Sequence, residues 1–196
     1  MTSLDPSREI LERSLLKLFW ASLDFPSPAI NKLINVFACA ILILILAYSE
    51  ASEMYSLDYE IKQLNQFSSE MISFTSQTLG FLIAGFTVFV TFSDKKLFNA
   101  LKEKIMNGTD ATWFRYIFLS FVHVFSVFFF FLCYCFFLKF LFYLTGDTAT
   151  NPGVKLAISP LTFVFFIGAL NCLLCLKSFI YNVFQTCLMS IKFPEN

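Results

Sequence analysis

Residues 114–144 read FRYIFLSFVHVFSVFFFFLCYCFFLKFLFYL, an apolar run whose charges are Arg115 near one end and Lys139 near the other. As a helix rising 1.5 Å per residue, this run reaches about 45 Å. Crossing the hydrocarbon core of a bilayer, roughly 30 Å thick, takes about 20 apolar residues. Three more stretches have the same character: 29–48, 72–92 and 158–189. A soluble domain of 196 residues cannot hide four such segments. The chain therefore reads as an all-α membrane protein with four transmembrane helices, because in lipid a helix satisfies its own backbone polar groups.

Composition agrees. Hydrophobic residues make up 57% of the chain and charged residues only 14%, against about 25% charged in an ordinary soluble domain. Fourteen basic and fourteen acidic residues cancel, so placement carries more information than net charge. Arg8, Arg13, Lys17 and Lys32 flank the first run; Lys95, Lys96, Lys102, Lys104 and Arg115 lie around the loop between the second and third; Lys177 and Lys192 lie toward the C-terminus. Lys62, Lys139 and Lys155 remain for the opposite side. Basic residues collect on the cytoplasmic side, so both termini and the central loop are expected there. With no cleavage site after the first apolar stretch, the first span reads as a retained anchor.

Residues 1–28 precede the membrane domain, 29–196. Asp5 is a suitable N-cap and Pro6 a suitable first helical residue. Leu4, Leu11, Leu15 and Leu18 share one stripe, with Arg8, Glu9, Glu12, Arg13 and Lys17 opposite. This predicts an amphipathic helix on the cytoplasmic face. Pro26 and Pro28 separate it from the first span.

The second span differs from the others. Ser69, Ser73, Ser76, Gly80, Ala84, Thr87 and Thr91 recur at intervals of three or four, so they share one helix face. Two readings stand. The stripe is a packing face, since small residues let helices approach and hydroxyls bond across them; or it lines a water-filled path. Outside the membrane, Glu50, Glu53, Asp58 and Glu70 form an acidic stretch, read either as a cation-attracting outer vestibule or as an ordinary solvated loop. Four helices leave no room for water at their own centre. A conducting path needs several copies around a symmetry axis, so a symmetric homo-oligomer is expected, a tetramer being the simplest guess.

The parts for catalysis are missing. His123 is the single histidine and has no carboxylate in its span. Cys172 and Cys175 have the spacing of a metal or redox pair but lack a second pair and lie at membrane depth. No phosphate-cradling loop or nucleophile triad is present. The chain is expected to be no enzyme and to carry no cofactor or metal. A coupled transporter is also disfavoured, because no charge lies near mid-membrane in any span.

The segment at residues 79–98, LGFLIAGFTVFVTFSDKKLF, with the four-span layout, resembles small four-span bacterial membrane effectors of antiviral operons. It is most similar to the channel effectors of the Hailong antiphage system, and in outline to small membrane partners of RNA-targeting CRISPR effectors. The resemblance implies a tetrameric ion channel of the bacterial inner membrane. It would be held shut by a nucleic-acid-like product of a partner nucleotidyltransferase and opened on infection. The basic residues that would seal it correspond here to Arg8, Arg13 and Lys17, although Asp5, Glu9 and Glu12 dilute their charge. A reading from another class remains open: a non-conducting membrane adaptor that regulates a cytoplasmic defence partner through its N-terminus and central loop.

Overall fold

The computed structural model describes residues 29–52, 57–92, 112–145 and 152–192. These form four helices: α1, Ala29–Ser52; α2, Leu57–Phe92; α3, Trp113–Thr145; and α4, Pro152–Lys192. No strand occurs among the described residues apart from an isolated bridge at Thr112. Three of the helices contain segments long and apolar enough to cross a membrane, Ile30–Ser49, Phe114–Leu144 and Ala157–Gln185, which marks a membrane protein. The amphipathic helix expected over residues 1–28 lies outside the described residues.

Local signals account for the boundaries. Thr112 caps α3, its Oγ1 accepting from the Arg115 N–H at 3.3 Å and its carbonyl from the Tyr116 N–H at 3.0 Å. Asp58 and Glu60 occupy the first turn of α2, where carboxylates favour the positive end of the helix dipole. Two helices start earlier than their apolar runs. Residues 57–71, mostly polar, extend α2 as helix on the N-terminal side of the expected span at 72–92. Likewise α4 begins at Pro152 rather than at 158, taking Pro160 into its interior. Proline is tolerated there because the segment loses one backbone bond and keeps the rest.

Two compact units partition these helices. The first draws on Ser27–Gly80 and Val127–Leu174. Its core is built on a seam of buried side chains at alternating steps of three and four along α3, Phe128, Phe131, Cys135, Leu138 and Phe142, together with buried Ile61, Leu64, Ser68, Thr75 and Leu79 of α2 and Ile158, Phe165 and Cys172 of α4. That spacing is the one that lets helices interdigitate at a shallow crossing angle. At Gly168 the Phe131 ring fills the space a side chain would need, since a Cβ there would meet Cδ2 at 2.7 Å. Helix α1 contributes little to this core, and the membrane-crossing part of it is 6% buried. Its attachment is polar. Asn31 donates to the Leu174 carbonyl at 3.4 Å, and Asn35 to Asn171 Oδ1 at 2.7 Å. Asn171 in turn donates to the Ile167 carbonyl at 3.0 Å.

The second unit comprises Phe81–Ser126 and Cys175–Asn196 over its described residues. Aromatic packing dominates it. Phe86 stacks on Phe121 with ring centroids 4.0 Å apart, and Phe118 and Phe179 approach the same pair at 6.0 Å. Polar links also join α3 to α4 there, from Asn182 to Ser120 Oγ at 3.1 Å and between His123 Nε2 and Cys175 Sγ at 3.7 Å.

Candidate functional site: the exposed stripe of α2

Helix α2 has two distinct sides. Its buried side is Ile61, Leu64, Ser68, Thr75, Leu79 and Leu82. The small, hydroxylated stripe lies about 130° around the helix from that side at 3.6 residues per turn. Every member of it, Ser69, Ser73, Ser76, Gly80, Ala84, Thr87 and Thr91, is exposed. The aromatic residues Phe67, Phe74 and Phe81 are also exposed but occupy a separate strip. Among the described residues, then, nothing of the protomer's own covers the stripe. A Cβ added at Gly80 would meet nothing within 4 Å, so the glycine serves no contact inside the protomer.

The stripe's polar groups are partly satisfied by their own helix. Ser69 donates to the Asn65 carbonyl at 3.1 Å and Thr87 to the Ile83 carbonyl at 2.8 Å. Gln77 donates to Ser73 Oγ at 3.0 Å. Hydroxyls bonded back in this way present acceptor lone pairs outward with their donors already engaged. Such a surface can meet water or a closely packed neighbour. Facing lipid tails it would gain nothing, which separates it from the phenylalanine strip.

Of the acidic residues expected outside the membrane, Asp58 and Glu70 are exposed on α2. Asp58 falls on the stripe's side of the helix, within about 20° of Ser69, while Glu70 lies about 100° away. Gln66 donates to Glu70 Oε1 at 3.1 Å. Glu50 sits in the last turn of α1, and its side chain, like all of Glu53, lies outside the described residues. The same holds for Arg8, Arg13 and Lys17.

Other chemistry-bearing groups do not gather. His123 Nε2 is 3.7 Å from Cys175 Sγ, and no group of three His, Cys, Asp or Glu able to hold a metal occurs among the described residues. Cys39, Cys133, Cys135, Cys172 and Cys175 are free thiols. The second unit holds an apolar cavity of about 270 Å³ lined by Phe81, Leu82, Gly85, Phe86, Ile117, Phe121, Phe179, Ile180 and Val183.

Two polar links have no counterpart in the sequence patterns. One is the bond between Asn35 and Asn171; each is a polar residue in an apolar run, and nothing in their spacing pairs them. The other joins Lys139 of α3 to Asn65 of α2 at 2.7 Å. Comparison with protein-family models, characterised proteins and solved structures finds no match to this chain.

Proposed function

We propose that this chain is the protomer of a homo-oligomeric, gated ion channel in the bacterial inner membrane. It acts as a defence effector that collapses the membrane potential when activated. In this reading α2 is the fourth membrane-crossing helix and turns its stripe toward a central path. Both termini are cytoplasmic, and residues 1–28 gate the path from that side. Arg8, Arg13 and Lys17 of each copy supply the cationic ring for a polyanionic ligand made by a nucleotidyltransferase; a CRISPR-type partner is the other source considered. Phosphate binding strengthens with the number of cations engaged, so a ring of copies compensates for the mixed charge of one helix. Asp58 and Glu70, with Glu50 and Glu53, form the outer vestibule.

The observation that supports this reading is the exposure of all seven stripe residues on a helix whose buried side is a different one, Ile61, Leu64, Ser68, Thr75, Leu79 and Leu82. Defence as the setting rests on the resemblance of residues 79–98 alone. The bonding of Ser69 and Thr87 to their own helix also favours a second reading, a non-conducting oligomer or adaptor in which the stripe packs dry against another helix.

Gly80 discriminates between them, because its open surroundings make a bulky side chain harmless to the isolated protomer. Purified protein in liposomes should release a trapped ion, and G80W should lower that flux at least tenfold while membrane levels hold. An adaptor would show no flux above lipid background. Flux unchanged by G80W would remove the stripe from the path.

A further inference from the structure

In the first unit the stripe is bordered by a cation from another helix. Lys139 is half-buried on α3, and its Nζ donates to Asn65 Oδ1 at 2.7 Å and to the Asn65 carbonyl at 3.4 Å. Both acceptors belong to one neutral residue. Among the described residues no carboxylate comes within ion-pair distance of this ammonium. An ammonium carries three donors, so one proton remains for a further acceptor.

The direction of Asn65 decides where that proton is offered. Asn65 precedes Ser69 by one turn and lies about 40° from it around α2, on the side toward the buried face. Lys62, also exposed, lies within about 20° of Ser69. Glu60, by contrast, lies about 180° from Ser69, on the opposite side of the helix. Passing inward from the outer end, the stripe thus meets Asp58, then Lys62, then the Lys139–Asn65 pair, then the serines. A charge in a membrane-crossing segment is costly unless it is paired or faces water. Lys139 is not paired with an anion, although Asn65 fixes its position. An anion site is what such a group lacks.

We propose that Lys139, held by Asn65 at the edge of the α2 stripe, is an anion-binding site that makes the conducting path favour small inorganic anions over alkali cations. The inference rests on the channel reading above. It reverses the preference that the outer carboxylates alone would suggest, because the lysines lie deeper along the stripe than Asp58, while Glu70, one turn further inward, lies about 100° around the helix from Ser69. The same ammonium chemistry would also suit a phospholipid phosphate at the membrane edge, so the test must separate the two sources.

The full chain, wild type, K139Q and K139R, is reconstituted in planar bilayers under a potassium chloride gradient, in zwitterionic and in anionic lipid. The wild type should reverse on the chloride side of zero, and K139R should match it. K139Q should lower the anion-to-cation permeability ratio about fivefold or more, the factor a unit charge at contact distance exerts even in bulk water. A ratio unchanged by K139Q, with only a lipid-dependent loss of protein stability, would assign Lys139 to a lipid phosphate and overturn the inference. Cation selectivity in the wild type would overturn it as well. No conductance in any form would remove the channel reading itself, and the anion site with it.

Discussion

Gly168 offers the sharpest test of the packing described for the first unit. A methyl group added there would stand 2.7 Å from Cδ2 and 2.8 Å from Cε2 of Phe131. That ring is itself confined, 5% exposed and 5.7 Å from the ring of Phe165. Two terms oppose each other in G168A. Alanine is favoured over glycine in a helix interior by about 1 kcal/mol. Forcing an extra methyl into a filled site costs about 1–3 kcal/mol. The net expectation is a loss of about 0–2 kcal/mol, which alone would prove little. The informative measurement is the sign of the same change in an F131A background. With the ring gone, only the helix preference remains, so G168A should stabilise F131A by about 1 kcal/mol. The coupling between the two sites, about 1–3 kcal/mol, then equals the overpacking cost. Reversible unfolding in mixed detergent micelles, followed by circular dichroism, reads all four forms. If G168A stabilises both backgrounds equally, α3 and α4 do not meet through this glycine, and the seam is misdrawn.

The amide pair joining α1 to α4 should be measurable in the same assay. Replacing Asn35 and Asn171 together by Leu is expected to cost less than the two single replacements added, because each single change already breaks their shared bond, with a coupling near 0.6 kcal/mol and at most about 1.7, the range for hydrogen bonds between membrane helices; zero coupling would mean that α1 is held by something else. The Thr75 hydroxyl is fully buried and finds no hydrogen-bond partner among the described residues. T75V should therefore stabilise the protein, by about 1 kcal/mol, since a buried unsatisfied hydroxyl is a net cost. A destabilising T75V would indicate that assembly supplies a partner for the hydroxyl.

Much of the architecture is legible before any coordinates, and the residues explain how much. Helix positions and the membrane environment follow from segment length and charge scarcity, which do not depend on what touches what. The polar stripe of α2 is equally plain, because serine, glycine and threonine contrast with the leucine and phenylalanine around them. Where contrast vanishes, so does the signal. Helix α3 carries phenylalanine on every side, so nothing in its pattern distinguishes buried Phe128 and Phe131 from exposed Phe129 and Phe130. Boundaries also escape where a cue misleads: Pro160 suggests a helix start, yet α4 continues through it.

From its amino acids alone this protein is committed to long apolar helices, since no folding pathway can dissolve such segments in water. Which faces meet is a different kind of fact. It depends on the fit of Phe131 against Gly168, on Asn35 finding Asn171, and on Lys139 reaching Asn65, all contacts between residues distant in the chain. Hydrophobicity acts on each segment separately, whereas close packing and hydrogen-bond geometry act only between segments already brought together. For that reason only the tertiary structure could decide that the stripe of α2 turns away from its own core.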